Sequence, residues 1–269
     1  MDRYAVVGNP VAHSLSPRIH ALFARQTDQD IEYTALCAPR DAFAAAIARF
    51  RSGGGRGANV TVPFKHEAWQ LCELLSERAR LAQAVNTLSF AADGPISGDN
   101  TDGAGLIRDL MVNNGVALAG RRVLLLGAGG AARGVAGPLL EQQPARLTIA
   151  NRTPDKARTL ARAFAAHGNV NACGLAALAG QRFEVVINAT SAGLSGATPD
   201  LPEGLVRDAL AYDMVYGADT TPFVRWSRAH GARTALDGLG MLVEQAAESF
   251  FIWRGVRPAT APVLAELRA

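Results

Sequence analysis

The chain has 269 residues, of which 49% are hydrophobic, 6% are aromatic and 19% are charged, and its formal net charge is +3. This length predicts one large domain or two domains of about 100–150 residues each, and the hydrophobic content excludes an intrinsically disordered protein. No apolar run reaches the roughly 18 residues of a membrane-spanning helix, and arginines scattered among few aromatics argue against a nucleic-acid-binding surface.

The first hundred residues alternate between predicted strands and predicted helices. Strands are expected at Tyr4–Val7, Glu32–Cys37, Ala58–Val62, Val85–Phe90 and Ile96–Gly98, the last two joined by a turn at Asp93-Gly94. Helices are expected from Pro17, with Ser16 as the N-cap, over Asp41–Arg51 and over Lys65–Leu75. This alternation predicts a mostly parallel sheet with helices on both faces.

A second and more regular α/β series follows a connecting helix that is predicted over Gly103–Asn113. Its strands are expected at Val123–Leu126, Leu147–Ala150, Val185–Ala189 and Leu210–Met214. Its helices are expected at Ala131–Leu140, Pro154–His167 and Met241–Trp253. The two series together predict an α/β fold with two domains.

The cysteines and the first residues bear on the cellular compartment. Cys37, Cys72 and Cys173 are too scattered for a disulfide framework or a zinc site, which predicts reduced thiols in a cytoplasmic protein. The chain opens with MDRYAVVGNP, which is strand-like rather than a basic and apolar leader. We therefore expect no cleaved signal peptide.

A glycine motif in the second series predicts a dinucleotide site. The strand Val123–Leu126 runs directly into Gly127-Ala-Gly129-Gly-Ala-Ala132, a Gly-x-Gly-x-x-Ala turn that opens a helix. Gly127 permits the tight turn, Gly129 lets a pyrophosphate approach the backbone, and Ala132 allows close packing of helix on strand. The N-terminus of the helix supplies free N–H groups for the phosphates. A glycine-rich turn without a ligand is the alternative.

The residues after the next strand favour NADP over NAD. An NAD site offers a carboxylate to the ribose 2′-hydroxyl at this point, whereas an NADP site offers a basic residue. Here Asn151-Arg152-Thr153 and Lys156 follow the strand, and the first carboxylate is Asp155, inside the next helix. A guanidinium and an ammonium at this place attract a 2′-phosphate. A solvated helix start is the alternative.

Polar residues of the first half occupy strand ends and loops, where open α/β sheets bind ligands. They are Ser14, Ser16, Thr61, Lys65, Asn86 and Asp102. Each also has a structural alternative, such as a helix cap for Ser16 or Asp102 and a bulge for Asn86. The five histidines form no pair with metal-ligand spacing, so no metal site is predicted.

Ten segments of the chain, in this order, carry a resemblance to a known family. They are GNPVAHSLSPRIH, GANVTVPFK, AVNT, GDNTDG, GAGGAAR, NRT, INATSAG, DMVYG, TPF and DGLGMLVEQAA. Through them the chain resembles the shikimate dehydrogenase family nearly end to end. The resemblance implies the NADPH-dependent, reversible reduction of 3-dehydroshikimate to shikimate on the pathway to aromatic amino acids.

The resemblance also implies roles for individual residues. Lys65 and Asp102 match the catalytic pair. Residues matching the substrate ligands are Ser14, Ser16 and Tyr216 at the carboxylate, and Thr61, Lys65, Asn86, Asp102 and Gln245 at the ring hydroxyls. Residues matching cofactor contacts are Glu77, Gly127, Ala128, Gly129, Gly130, Ala131, Asn151, Arg152, Thr153, Lys156, Met214 and Gly238. Lys156 stands where family members often carry arginine, and Gln245 has the alternative of facing water.

The chemistry gives a reason for a lysine at position 65. The chain has 27 basic residues, and only Lys65 and Lys156 are lysine. Reduction of a ketone needs a proton for the developing alkoxide, and an ammonium can donate that proton and be reloaded. Arginine holds its proton too tightly for this role. Lys65, oriented by Asp102, is therefore the expected proton carrier.

The expected organisation is a substrate domain and a Rossmann-type NADP-binding domain, with the active site in the cleft between them. The substrate domain is expected over 1–101, completed by C-terminal helices within 237–269, and the NADP-binding domain over 102–236. The oligomeric state stays open, with a homodimer as one candidate.

Two rival functions stay open. One is a quinate/shikimate dehydrogenase that uses NAD, and the other is a sensor that binds dehydroshikimate without turning it over. The paired serines and the basic loop after the second strand favour the shikimate-specific, NADP form. Retention of both Lys65 and Asp102 counts against the sensor.

Overall fold

A computed structural model of the chain describes residues 1–92, 94–195 and 197–269. The chain forms two compact units, the first made of Met1–Gly105 with Leu242–Ala269 and the second of Leu106–Met241. Asp93, half of the predicted turn, lies outside the described residues.

The first unit is built on a six-stranded sheet. Its strands are β1 (Asp2–Gly8), β2 (Ile31–Cys37), β3 (Gly55–Val60), β4 (Leu74–Leu75), β5 (Thr87–Phe90) and β6 (Ile96–Asp99). Their order is β2-β1-β3-β5-β6-β4, and among these strands β5 alone runs against its neighbours. The prediction of a mostly parallel sheet is confirmed.

Five helices accompany these strands along the chain. They are α1 (Ser16–Gln26), α2 (Phe43–Ser52), α3 (Lys65–Leu71), α4 (Glu77–Ala82) and α5 (Asp102–Arg108). The predicted N-cap is wrong, because Leu15 takes that position and Ser14 Oγ accepts from the Ser16 N–H over 3.2 Å. The predicted helix over Lys65–Leu75 is also too long, because the backbone becomes extended at Cys72 and β4 then pairs with β6.

The second unit contains a six-stranded parallel sheet. Its strands are β7 (Arg122–Leu126), β8 (Arg146–Asn151), β9 (Val170–Gly174), β10 (Val185–Asn188), β11 (Leu210–Asp213) and β12 (Thr234–Leu236). Its α-helices are α6 (Gly130–Glu141), α7 (Pro154–Ala163) and α8 (Pro222–Ala229), and α5 continues into it as a π-helical turn, Asp109–Asn113. The order β9-β8-β7-β10-β11-β12 is that of a doubly wound dinucleotide-binding sheet, with its switch point between β7 and β10.

The last two helices return the chain to the first unit. They are α9 (Leu239–Arg254), which belongs to that unit from Leu242 onward, and α10 (Thr260–Arg268). Phe250 of α9 packs with Ile19 and Phe23 of α1, and α10 adds Val263 to the same cluster. In a second core cluster, Phe43 and Ile47 of α2 pack with Val7 of β1. None of the helices formed by the described residues combines the length and the apolar character that crossing a bilayer demands.

Candidate active site

Lys65 and Asp102 form the centre of a buried polar site in the first unit. Lys65 is the first residue of α3, which follows β3, and Asp102 is the first residue of α5, which follows β6. Their side chains are 16% and 7% exposed, and Lys65 Nζ lies 2.5 Å from Asp102 Oδ2. Charges buried this far from water need each other as partners. The pair therefore presents an ammonium beside a carboxylate that orients it.

Asn86 is hydrogen-bonded to Asp102, and Gln245 lies beside Asn86. Asn86 Nδ2 donates to Asp102 Oδ1 over 2.8 Å and lies 3.2 Å from Gln245 Oε1. Both side chains are buried. The alternative that Gln245 faces water is wrong, because α9 packs its glutamine against Asn86.

The two serines and Thr61 lie at the N-terminal ends of α1 and α3. Ser16 is buried in the first turn of α1, Ser14 is half-buried in the loop before it, and Thr61 follows β3. The Thr61 N–H donates to Val7 O over 2.9 Å. Among the described residues no hydrogen bond joins these three hydroxyls to Lys65 or Asp102. They are a second polar group at the ends of the same sheet.

Ion pairs brace the segment that leads to Asp102. Asp99, at the end of β6, accepts from Arg78 Nε over 2.6 Å, from Arg78 Nη2 over 2.8 Å and from Ser76 Oγ over 2.6 Å. Arg78 also pairs with Glu248 of α9 over 3.1 Å. Burial raises the pKa of Asp99, but the Arg78 guanidinium outweighs burial and holds that pKa below its ordinary value. A bidentate pair of this kind fixes the end of β6 just before Asp102.

Behind Asn86 lies a cluster of buried polar side chains to which sequence reasoning gave no role. They are Asn59, Thr87, Thr101 and Ser249. Asn59 of β3 stands opposite Thr87 of β5 in the antiparallel pair. The segments GANVT, AVNT and GDNT contain the first three, so a search of those segments for further polar residues could have found them. No local pattern marks Ser249, which α9 brings in from the far end of the chain.

The glycine loop of the second unit has the geometry of a pyrophosphate site. Gly127 has a φ of +111°, and a Cβ there would lie 3.0 Å from Ala189 O, so the turn requires glycine. At Gly129 a Cβ would meet no described atom within 4 Å. Gly129 precedes α6 and supplies no side-chain cap, which leaves the first-turn N–H groups without helical partners. Open space above free N–H groups fits the phosphates of a dinucleotide.

The segment after β8 presents two cations. Arg152 and Lys156 are exposed, and within the described part of the chain neither of them forms an ion pair. The nearby carboxylate, Asp155, is instead paired with Arg158 over 2.7 Å. Asn151 Nδ2 donates to Thr153 O over 3.0 Å, which shapes the turn into α7. Two basic groups without a carboxylate partner fit a 2′-phosphate.

Met214 and Gly238 are in direct contact in the second unit. A Cβ at Gly238 would overlap the carbonyl of Met214, so only glycine permits this approach. The Gly238 N–H donates to Val215 O over 3.1 Å. Tyr216 is half-buried in the same loop, whereas Glu77, the remaining predicted cofactor neighbour, is an exposed first residue of α4 in the first unit.

A buried carboxylate shapes the loop after β11. Asp213 accepts from Asn188 Nδ2 over 3.0 Å, from the Val215 N–H over 3.2 Å and from Thr221 Oγ1 over 2.6 Å. Its side chain has no exposed surface, and burial raises its pKa. Asp213 thereby ties the ends of β10 and β11 to the start of α8 and fixes the loop that carries Met214.

Three family models match successive parts of the chain. The shikimate dehydrogenase substrate binding domain matches residues 6–88, and the shikimate / quinate 5-dehydrogenase model matches residues 110–207. The shikimate 5′-dehydrogenase C-terminal domain matches residues 238–268.

Individual proteins match over the full length. The chain is 61% identical to the shikimate dehydrogenase (NADP+) of Nitrosospira multiformis over 269 residues, which cover 100% of this chain and 98% of the relative. The crystal structure of an Ael1 enzyme from Pseudomonas putida matches with a TM-score of 0.93 at 49% identity, covering 100% of this chain and 99% of that one. The shikimate 5-dehydrogenase of Thermus thermophilus, solved in complex with NADP(H) and shikimate, matches with a TM-score of 0.88 at 34% identity, with 100% and 99% covered.

Proposed function

The chain belongs to the shikimate dehydrogenase family, and we propose that it reduces 3-dehydroshikimate to shikimate reversibly with NADPH, for aromatic amino acid biosynthesis. The observation that carries the proposal is the 2.5 Å contact of Lys65 Nζ with Asp102 Oδ2 in a buried polar site. The identity of 61% to a curated NADP+-dependent relative supports the choice of substrate and cofactor.

Lys65 is the proposed proton carrier. In the direction of reduction its ammonium donates a proton to the oxygen of the former carbonyl, and in the direction of oxidation its amine accepts the proton of the hydroxyl. Asp102 holds the ammonium in place and binds the same hydroxyl. NADPH, when bound, supplies the hydride to the carbonyl carbon.

The other polar groups of the first unit are the proposed substrate ligands. Asn86 and Gln245, already hydrogen-bonded beside Asp102, bind ring hydroxyls together with Thr61. Ser14 and Ser16 bind the carboxylate, with Tyr216 as the proposed third partner. Hydroxyl groups suit both tasks because each can donate to an anion and accept from a hydroxyl.

The second unit is the proposed NADP-binding domain, and the first unit is the proposed substrate domain. The segment Gly127–Ala131 would hold the pyrophosphate through its N–H groups, and Arg152 and Lys156 would hold the 2′-phosphate, with Asn151 and Thr153 at the adenosine end. Met214 and Gly238 are the proposed contacts of the nicotinamide, and Glu77 is a further proposed neighbour of the cofactor.

The compartment and the oligomeric state complete the proposal. Cys37, Cys72 and Cys173 are free thiols in the structure, which supports the cytoplasm as the compartment. A homodimer is the assembly proposed for the chain, and light scattering of the purified protein at several concentrations tests it.

A steady-state assay tests the function against both rivals. Initial rates of oxidation are measured with shikimate and with quinate, each with NADP+ and with NAD+. We expect kcat/KM for shikimate with NADP+ to exceed every other combination by at least about tenfold, the scale of one well-placed charged contact. A preference for quinate with NAD+ would contradict the proposal, and tight binding of dehydroshikimate without turnover would identify a sensor.

A further inference from the structure

The amide of Asn59 has a fixed direction. Its Nδ2 lies 3.2 Å from the backbone carbonyl oxygen of Asn86, which can only accept, so this end of the amide must be the nitrogen. Its Oδ1 accepts from the hydroxyl of Tyr33 over 2.7 Å. Nδ2 also lies 3.2 Å from Thr87 Oγ1 and 2.9 Å from Ser249 Oγ. Asn59 Nδ2 can only donate, and its two protons are shared among these three oxygens, Thr87 Oγ1 included.

The amide of Asn86 is fixed in the same way. Its Oδ1 accepts from the backbone N–H of Thr101 over 2.8 Å, and an N–H can only donate. Its Nδ2 donates to the carboxylate of Asp102 over 2.8 Å. The oxygen of this amide thus turns toward the interior of the unit, and its nitrogen turns toward the Lys65–Asp102 pair.

Thr87 stands between these two amides. Its Oγ1 lies 2.9 Å from Asn86 Oδ1 and 2.9 Å from Ser249 Oγ. The amide oxygen can only accept, whereas the serine hydroxyl can donate, so the single proton of the Thr87 hydroxyl points at Asn86. The same oxygen accepts from Asn59 Nδ2. A hydroxyl is the one neutral group of this size that accepts from one side and donates to the other. The hydrogen bonds therefore run in one direction, from Tyr33 through Asn59, Thr87 and Asn86 to Asp102.

We propose that Thr87 is a positioning residue for the reaction, because it holds the Asn86 amide by its oxygen while the nitrogen serves Asp102. The proposal rests on the proposed function, in which a substrate hydroxyl binds at Asn86 and Asp102. That hydroxyl competes for the nitrogen of the amide and for the carboxylate, but not for Oδ1. The bonds from Thr87 and from the Thr101 N–H hold the amide still while its other partners change.

The four small side chains at position 87 separate the hydroxyl from the methyl group. Thr and Ser carry the hydroxyl, Val and Ala lack it, and Thr and Val carry the methyl group that Ser and Ala lack. The experiment measures kcat, KM for shikimate, KM for NADP+ and the unfolding temperature of the unaltered chain, Thr87→Ser, Thr87→Val and Thr87→Ala. Thr148→Val, at another buried threonine in β8, is the matched control for this change and is expected to keep kcat and both KM values.

The variants that keep the hydroxyl at position 87 should keep kcat/KM for shikimate, and those that lose it should not. We expect Thr87→Ser to stay within about threefold of the unaltered chain, and Thr87→Val and Thr87→Ala to lose about tenfold in kcat/KM for shikimate, the scale of one buried hydrogen bond. KM for NADP+ should stay within about twofold. A merely structural role would lower the unfolding temperature and leave the kinetics of the folded variants unchanged.

Two results would overturn the proposal. One is a kcat/KM for shikimate within twofold of the unaltered chain in both variants without the hydroxyl, and the other is a Ser variant as impaired as Ala. If either Thr87→Val or Thr87→Ala does not fold, the kinetics of the other variant still test the proposal. Failure of the unaltered chain to turn over shikimate would instead contradict the proposed function, so the two failures are distinguishable.

Discussion

At position 65 the chain has a lysine for a chemical reason, although nearly all of its other basic residues are arginine. Lys65 is one of only two lysines in an arginine-rich chain, and its half-buried ammonium lies against a carboxylate. Arginine would form the ion pair equally well but could not release its proton. Lys156, the other lysine, is exposed on α7 at a place where either basic residue would serve. The bias of the composition therefore has chemical meaning at one of the two positions.

Substitution of Lys65 separates charge from proton transfer. We expect Lys65→Ala to lose about 10²–10⁴ in kcat, the usual scale of general acid–base catalysis, with a smaller change in KM. Lys65→Arg keeps a cation beside Asp102 and should lose a comparable factor. Steady-state rates of shikimate oxidation by the two purified variants measure both effects. A Lys65→Arg variant with near-normal kcat would show that the cation suffices and that no proton moves through this residue.

His20 gives the first unit a dependence on acid. The ring stacks on Tyr33 with centroids 4.0 Å apart and is completely buried. Burial lowers the pKa of His20 to about 3. As the pH falls through 6.5, His20 becomes protonated in the unfolded chain but stays neutral in the folded chain. The free energy of unfolding that is present above this pH is therefore lost progressively toward pH 3.

Replacement of His20 should flatten this dependence. Between pH 7.5 and pH 5 the free energy of unfolding of the unaltered chain should fall by about 2 kcal/mol more than that of His20→Phe, which keeps the stacking and cannot be protonated. Urea unfolding at the two pH values measures the difference. His167→Phe, at an exposed histidine, is the control and should follow the unaltered chain. Equal slopes for His20→Phe and the unaltered chain would contradict the assignment.

At the scale of elements, local patterns predicted most strands and helices but not the contacts that end them. The expected helix from Lys65 stops at Leu71 because β4 pairs Leu74 with Ser97 of β6, a partner that no local pattern reveals. The expected strand over Val85–Phe90 begins only at Thr87, although the Asn86 N–H still donates to Asp99 O of β6 over 3.0 Å. Long-range pairing decided where the helix ends.

The same limit applies to the candidate site. Lys65, Asn86 and Asp102 were predicted because each lies in a segment with a recognisable pattern, and the structure brings these three together. Ser249 was not predicted, because it is an ordinary helical serine until α9 packs against the first unit. A sequence shows which residues have the right chemistry, but burial among other polar groups depends on the packing of distant elements.

The turn between β7 and α6 allows two glycines to be told apart. Gly129→Ala should fold normally, because a Cβ there enters open space, but it should raise KM for NADP+ about tenfold or more, because that space is proposed for the pyrophosphate. Gly127→Ala should lose about 1–3 kcal/mol of stability, because its positive φ strains any side chain. Thermal unfolding and cofactor titration of both variants measure the two effects. Normal cofactor affinity in Gly129→Ala would place the pyrophosphate elsewhere.

The start of α7 allows a matched pair of arginines to be compared. Arg152→Ala should raise KM for NADPH at least about tenfold, with KM for dehydroshikimate within about twofold, because a charge-assisted contact to the 2′-phosphate is lost. Arg158→Ala removes the same charge from the same helix region, but Arg158 is paired with Asp155 and should change neither KM. Initial rates at several concentrations of each substrate measure both variants. Equal effects on the two KM values of Arg152→Ala would argue against a cofactor ligand.

For the whole molecule, the proposal assigns most contacts of each ligand to one compact unit. Hydrogen exchange of backbone amides with NADP+ alone should slow around Gly127–Ala132 and Asn151–Lys156 in the second unit. Exchange with shikimate alone should slow around Thr61–Lys65, Asn86 and Asp102 in the first unit. Mass spectrometry of peptides resolves these segments. Protection by shikimate confined to the second unit would contradict the assignment of the substrate domain.

The return of α9 and α10 to the first unit has a consequence for how the chain is made. One core cluster of that unit needs Phe250 and Val263 beside Ile19 and Phe23, so residues 1–105 cannot complete it when they leave the ribosome. The second unit is continuous from Leu106 to Met241 and can close as soon as it has emerged. Synthesis from the N-terminus therefore finishes the later unit first. Until the last helices arrive, the half that carries Lys65 and Asp102 lacks one of its two core clusters.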